Sequence, residues 1–347
     1  MSALRDKLTS EELAMALSNY DLGVVRSAKD FPRGSHGAPK LIIESDRGHY
    51  LLKRRPKGKD DPQHVAFAHA IQDYLAERSF PLPHLINTRK GTDALLRIRD
   101  GVYELFEYID SQPYDSSLVA ASEAGRMLGL FHRLIADCPA TSPNEPGSYH
   151  NAAHILSSFK KTGELLLSLP SAKGREKAII HTLQGLREAY KHAAAAVEEM
   201  GISRWASQII HSDWHPGNML FDKGHVVAVI DFDSARMGPR ILDVANGVLQ
   251  FSFVAAERNL REWEARADDN RARRFLRGYD NLLRLSELEL KAIPHLMQEA
   301  LIAQTMGPIL RMGSYAGLDG AGYLAVALKK ARWIGENAAR LALPDDE

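Results

Sequence analysis

At 347 residues the chain exceeds what one hydrophobic core usually serves, and 45% apolar and 25% charged residues give it the composition of a globular protein of two lobes. Basic and acidic residues balance at 44 each, which excludes a nucleic-acid or membrane surface as the main partner, since both require a basic excess. Cys138 is the only cysteine, so intramolecular disulfides and cysteine-built zinc sites are excluded as well.

The opening stretch "MSALRDKLTSEELAMALSNYDL" carries charges inside its apolar pattern and no signal-peptide core. No apolar run is long enough to span a membrane, and a cytoplasmic protein is expected. Thr9-Ser10-Glu11-Glu12 marks a helix start, with Leu13, Ala16 and Leu17 on one face. "PKLIIESDRGHYLLKRR" predicts two short strands, Leu41–Glu44 and His49–Arg54, joined by the turn Ser45-Asp46-Arg47-Gly48. A helix is expected over residues 62–78 from the spacing of Val65, Phe67, Ala68, Ile71 and Leu75. The proline-stiffened connector "FPLPHLI" follows, then strands at Ala94–Ile98 and Val102–Tyr108. From Ser116 the pattern is mostly helical, with helices expected at Leu118–Ala136, Asn151–Leu167, Lys173–Met200, Asp243–Ala255, Leu260–Leu283, Glu287–Met306 and Tyr323–Leu343. One β island, Met219–Ile230, interrupts them. The expected class is α+β, a small β-rich N-lobe followed by a larger, mostly helical C-lobe.

Residues Ile209–Phe221 read "IIHSDWHPGNMLF", and "IDFDSA" follows at Ile230–Ala235. Two histidines four apart raise a zinc site, because helical His-x-x-x-His puts both imidazoles on one face. Pro216 disfavours helical geometry at His215, β-branched Ile209 and Ile210 precede His211, and no glutamate adjoins it, so zinc is set aside. His211-x-Asp213 with Asn218 five residues on has instead the spacing H-x-D-x-x-x-x-N. In a kinase catalytic loop that aspartate accepts the proton of the attacking hydroxyl and the asparagine holds magnesium. A hairpin turning at Gly224-His225 brings Asn218 opposite Asp231, two oxygen ligands side by side, as Mg²⁺ requires. Asp213 is therefore the candidate base and Asn218 and Asp231 are the candidate metal ligands. Asp233 either joins the metal site or holds the loop, and His211 and His215 read as loop supports.

"HSDWHPGNML…VIDFDSA" resembles the aminoglycoside phosphotransferase and choline kinase superfamily, whose pattern is roughly H-x-D-x-H-P-x-N followed by I-D-F/W-D/E. The resemblance implies a protein-kinase-like bilobal fold that phosphorylates small molecules with ATP and Mg²⁺. Its closest flavour is the type II homoserine kinase-like and spore-coat kinase-like subgroup. "YLLKRR" resembles the strand bearing the ATP lysine, which makes Lys53 the implied phosphate ligand. "YELFEYID" resembles the hinge, implying adenine contacts from the backbone near Glu107 and Ile109. With the hinge at about 104–110, residues 1–106 form the nucleotide-binding lobe and 107–347 the catalytic and substrate lobe. "ILDVAN" resembles the segment in which Asp243 is structural. The landmarks run in order from residue 50 to 246.

Two departures stand out. The family's lysine pairs with a helix glutamate, yet the expected position falls near Ala68–Ala70, where His69 is the only polar side chain; His69, Gln72 or Asp73 substitutes, or Lys53 is held differently. "FPRGSHGAPK" lacks G-x-G-x-x-G, although backbone amides around Gly34 and Gly37 can still cover phosphates. The leading function is ATP- and Mg²⁺-dependent phosphorylation of a small-molecule hydroxyl (amino alcohol, homoserine-like amino acid, sugar or aminoglycoside), without nucleic-acid or membrane partners. The alternatives are a kinase-shaped binding or structural protein and, less favoured, a protein kinase. The latter carries a lysine two residues after the base, where this chain has His215, and an Ala-Pro-Glu segment that is missing between Asp233 and Arg261.

Overall fold

The computed structural model describes residues 7–31, 38–91, 94–143, 148–253, 265–315 and 318–341. In chain order the elements are α1 (Ser10–Leu17), β1 (Val25–Asp30), β2 (Lys40–Ser45), β3 (Gly48–Arg54), α2 (Pro62–Ala76), β4 (Leu96–Ile98), β5 (Gly101–Glu107), α3 (Leu118–Ile135), α4 (Ala153–Ser168) and α5 (Glu176–Glu199). Then come β6 (Ser207–Ile210), β7 (Met219–Asp222), β8 (His225–Val229), β9 (Arg236–Pro239), α6 (Ile241–Ser252), α7 (Asp269–Asp280), α8 (Glu287–Met312) and α9 (Gly320–Glu336). Two compact units result: Met1–Pro113 with Leu134–Glu145 and Asn218–Ala235, and Tyr114–Arg133 with Pro146–Gly217 and Arg236–Glu347.

The first unit is built on a five-stranded antiparallel sheet of order β1-β2-β3-β5-β4. Strand alternation sorts its two faces. Leu41, Ile43, Leu52, Tyr103 and Leu105 point to one side and bury against Ala16 of α1 and against Tyr20 and Leu22 in the segment after it. That helix starts where Thr9 and Glu12 close a reciprocal capping box, with bonds of 3.1 and 2.8 Å. Lys53 therefore points to the other side, and register places Glu104 of β5 directly opposite it. Strand β1 carries no hydrophobic alternation; "VRSAKD" is almost wholly exposed along the sheet edge, where charge protects unpaired backbone from further pairing.

The second unit packs α4, α5, α6 and α9 around α8, which is buried on nearly all sides although Pro294 and Pro308 lie inside it. The expected helix Leu260–Leu283 begins at Asp269, capped by the Asp268 side chain; residues 260–264 lie outside the described residues. Strands β6 and β9 pair antiparallel, placing Ile210 beside Arg236. Among the described residues no helix is long and apolar enough to cross a membrane.

Helices α3 and α7 approach through glycine. A Cβ on Gly278 would stand 2.1 Å from the Ser122 carbonyl oxygen, and one on Gly125 would stand 1.9 Å from that of Phe275. Backbone cannot yield as a side-chain tip can, so Gly278→Ala is expected to destabilise the protein by about 3 kcal/mol in denaturant titration. Gly307→Ala within α8 meets only the Arg311 head at 3.6 Å and is expected to stabilise by about 0.5–1 kcal/mol in the same measurement.

Candidate active site

In the first unit, β3, β5, α2 and the turn 232–234 converge on a buried set of charges. Lys53 Nζ donates to Asp233 Oδ2 at 3.0 Å and lies 3.7 Å from Asp231 Oδ1. Arg55, two residues along the same face, places Nη2 2.8 Å from Asp233 Oδ1 and 2.8 Å from Glu104 Oε1. His69 of α2 reaches the same Glu104 oxygen at 2.6 Å. Side-chain exposure is 2% for Arg55, 0% for Glu104 and 8% for Asp233, but 12% for Lys53.

Burial opposes charge at each of these groups, and opposite charges override it. Lys53 is held above the usual lysine range because Asp233 and Asp231 outweigh its desolvation. Glu104 is lowered against its burial by the His69 bond and by Arg55. Asp233 falls well below the carboxylate range because Lys53 and Arg55 outweigh desolvation. The cluster is a matched set of ions.

The hairpin β7–β8 presents the candidate metal residues. Its turn lies at Lys223-Gly224, both with positive φ, one residue earlier than the spacing suggested. A bulge between Leu220 and Phe221 leaves Val227 without a partner in the register. Asn218 consequently faces Ile230, whose N–H donates to its carbonyl at 3.0 Å, rather than Asp231. Asp231 comes next, in the left-handed region at φ 66°, a strained geometry for a non-glycine residue. Its Oδ1 is buried and accepts no hydrogen bond among the described residues.

Asp213 belongs to the second unit, in the loop after β6. Asp243 of α6 is buried and organises that loop: it accepts the N–H groups of His211 at 2.6 Å and Ser212 at 2.8 Å, and faces His132 Nε2 at 3.2 Å. Burial pushes the His132 imidazole down despite Asp243, so as a neutral ring it donates from Nε2 and accepts from the Tyr279 hydroxyl at Nδ1. Ser212 is the second strained residue, with φ 64°. His211 is fully buried, and its Nδ1 accepts the Asp213 N–H at 3.3 Å; His215 Nδ1 accepts that of Gly217 at 3.0 Å. His215 Nε2 also lies 3.5 Å from Asp213 Oδ1.

Asp213 lines a cavity of about 270 Å³ with Tyr149, His154, Arg236, Asn246 and Gln304. The strap over it is firmly tied. Glu299 accepts the His150 ring N–H and the Asn151 N–H, each at 2.8 Å, while the Tyr190 hydroxyl donates to the Tyr149 carbonyl and accepts from the Ala152 N–H. Arg236 is part-buried, and desolvation lowers it in spite of Asp243.

The structure thus brings Lys53, Asp231 and Asp233 together and places Asp213 on a cavity of the second unit. Gly34 and Gly37 lie outside the described residues. Glu107 ends β5 opposite Tyr50, its N–H donating to the His84 carbonyl at 2.9 Å, and Ile109 follows the strand. Of the substitutes for a helix glutamate, His69 is in the cluster but does not hold Lys53; it binds Glu104. Sequence reasoning missed Arg55 and Glu104. The available signal was pairing: Arg55 shares a strand face with Lys53, and a glutamate inside the apolar run "VYELF" needs a cation.

A family model described as the phosphotransferase enzyme family, APH, matches residues 28–288. A homoserine kinase of Caulobacter sp. strain K31 is 27% identical over 303 residues, covering 86% of this chain and 85% of the relative. Among solved structures, a microcompartment-associated aminopropanol kinase superposes with a TM-score of 0.67 at 16% identity, covering 96% of this chain and 99% of its own. An aminoglycoside phosphotransferase from Alicyclobacillus acidocaldarius gives 0.65 at 16%, covering 94% and 95%. These likenesses establish the α+β, protein-kinase-like fold. With the match running over most of its length, the chain belongs to the phosphotransferase enzyme family.

Proposed function

We propose that the chain transfers the γ-phosphoryl group of ATP to a hydroxyl of a small metabolite, with Asp213 as base and Mg²⁺ held by Asn218 and Asp231. The observation that carries this reading is Lys53, a strand lysine lying 3.7 and 3.0 Å from the two carboxylates of Ile-Asp-Phe-Asp, 178 and 180 residues away in the chain. A buried lysine beside a carboxylate oxygen that accepts no hydrogen bond suits a triphosphate with its cation. Among the described residues no three His, Cys, Asp or Glu side chains form a metal cage, so the cation would rely on Asn218, Asp231 and phosphate oxygens, the usual manner of Mg²⁺.

When bound, Mg²⁺ would neutralise the charge that builds on the phosphates. Lys53 orients the phosphates, and backbone groups at Glu107 and Ile109 and around Gly34 and Gly37 are the proposed nucleotide contacts. Residues 1–106 are the proposed nucleotide-binding lobe. Asp213 takes the acceptor proton as the hydroxyl oxygen bonds to the γ-phosphorus and the bond to the β-phosphate oxygen breaks, releasing ADP. The cavity at Asp213 suits a small acceptor, and Arg236 in its lining suits a carboxylate. Together with the homoserine kinase relatives, this makes a homoserine-like amino acid the first acceptor to test.

Phosphorylation of L-homoserine, 3-aminopropan-1-ol and a hexose should be followed by ADP release. Asp213→Asn is expected to lower kcat about 10²- to 10⁴-fold while leaving the KM for ATP within about twofold; a variant as active as wild type would remove Asp213 from the base role. In a separate measurement, ATP with Mg²⁺ at about a hundred times its Kd is expected to stabilise the wild-type protein by about 2.7 kcal/mol, seen as a rise in Tm. Asp231→Ala should lose that rise, and no rise in wild type at millimolar ATP would overturn the kinase reading.

A further inference from the structure

Asp233 is met by two cations that differ in how firmly they are held. Lys53 offers one bond to Oδ2 from a flexible stem, and it lies close to Asp231 as well. Arg55 is locked: its backbone N–H donates to the Val102 carbonyl at 2.8 Å, Nη1 to the Lys59 carbonyl at 3.1 Å, and Nη2 is shared by Glu104 and Asp233. Glu104 is in turn fixed by its strand position and by His69. A chain of buried contacts therefore runs from α2 through β5 and β3 to the turn 232–234, against which α2 also packs.

Both Asp233 oxygens face a positive group, at 2.8 and 3.0 Å. A metal ion there would meet two charges of its own sign at hydrogen-bond distance, whereas Asp231 Oδ1 accepts no hydrogen bond among the described residues and has one cation near it, Lys53 at 3.7 Å. If bound phosphate draws Lys53 away, Arg55 still neutralises Asp233.

We propose that Arg55 is the positioning residue of this turn: anchored by Glu104, it holds Asp233 and so fixes the strained backbone from which Asp231 presents its carboxylate. Asp233 is then the anchor of the turn and no cation ligand. The assignment rests on the nucleotide-site reading above for its consequence, though not for its geometry.

Two measurements test it. Mn²⁺·ADP binding, followed by electron paramagnetic resonance, compares wild type with Arg55→Met, Asp233→Asn and the double variant. Each single change should raise Kd about tenfold, the double change should add little, and Arg55→Lys should fall between. If Asp233 were a ligand, Asp233→Asn would weaken binding while Arg55→Met left it unchanged or tighter, and that result overturns the proposal; additive losses do so too. Hydrogen exchange on the ligand-free protein supplies the second measurement. Amides of residues 231–235, including that of Ala235, which donates to the Phe232 carbonyl, should exchange faster in Arg55→Met and Asp233→Asn, with α5 and α8 unchanged. Should Arg55→Met fail to fold, Glu104→Gln takes its place in both measurements. Wild-type protein that binds no Mn²⁺·ADP would defeat the kinase reading, and exchange then decides alone: acceleration confined to 231–235 upholds the anchor, and unchanged or sheet-wide exchange sinks it.

Discussion

The polar interior of the first unit depends on one guanidinium removed from water between two carboxylates. Arg55 and Glu104 expose almost nothing, and a buried ion carries a desolvation cost of several kcal/mol that only close opposite charge offsets. The sheet register therefore has little freedom. Lys53, Arg55 and Glu104 must share one face, and Leu52 and Leu105 take the opposite one, against α1.

The second unit solves a similar problem with one carboxylate. Asp243 gathers two successive backbone N–H groups and a neutral histidine, and so stabilises a loop whose Ser212 sits at positive φ directly before Asp213. Asp231 is itself a positive-φ residue, and a neighbouring carboxylate, Asp233, is tied to distant strands. In each unit a residue at positive φ, Ser212 or Asp231, lies at or within two residues of a group contacted by elements remote in sequence, Asp243 bonding Ser212 directly and Lys53 and Arg55 meeting Asp233. Strain of this kind persists only where the surroundings over-determine it.

Much of this was legible in the chain. Hydrophobic spacing located α2, α3 and strands β2, β3 and β5 to within two residues, and α8 short of its last six; motif spacing singled out Asp213, Asn218 and Asp231, and the family resemblance Lys53. Strand β1 escaped because an exposed edge strand has no buried face and hence no alternation to detect. Arg55 and Glu104 escaped for another reason. Arg55 lies within "KRRPKGK", where a solvated run and a buried cation look alike until the strand pairing is known. Burial of charge is a tertiary property, and β3 meets β5 only after some fifty residues of intervening chain.

The unpartnered Val227 gives the hairpin a parity. Between its turn and Asn218 the two arms differ by one residue, and that single odd count sets Asn218 against Ile230 and lets Asp231 emerge at the next position. Were Val227 drawn into the ladder opposite Leu220, the hairpin would be an ordinary, well-paired one, yet every residue beyond it would slide by one and Asn218 would face Val229. The alignment of Asn218 with Ile230 thus holds when the two arms change length together, or when Val227 itself is lost and the bulge closes. Loss of a paired residue from one arm alone preserves the fold of this segment and shifts the alignment of its last residues by one.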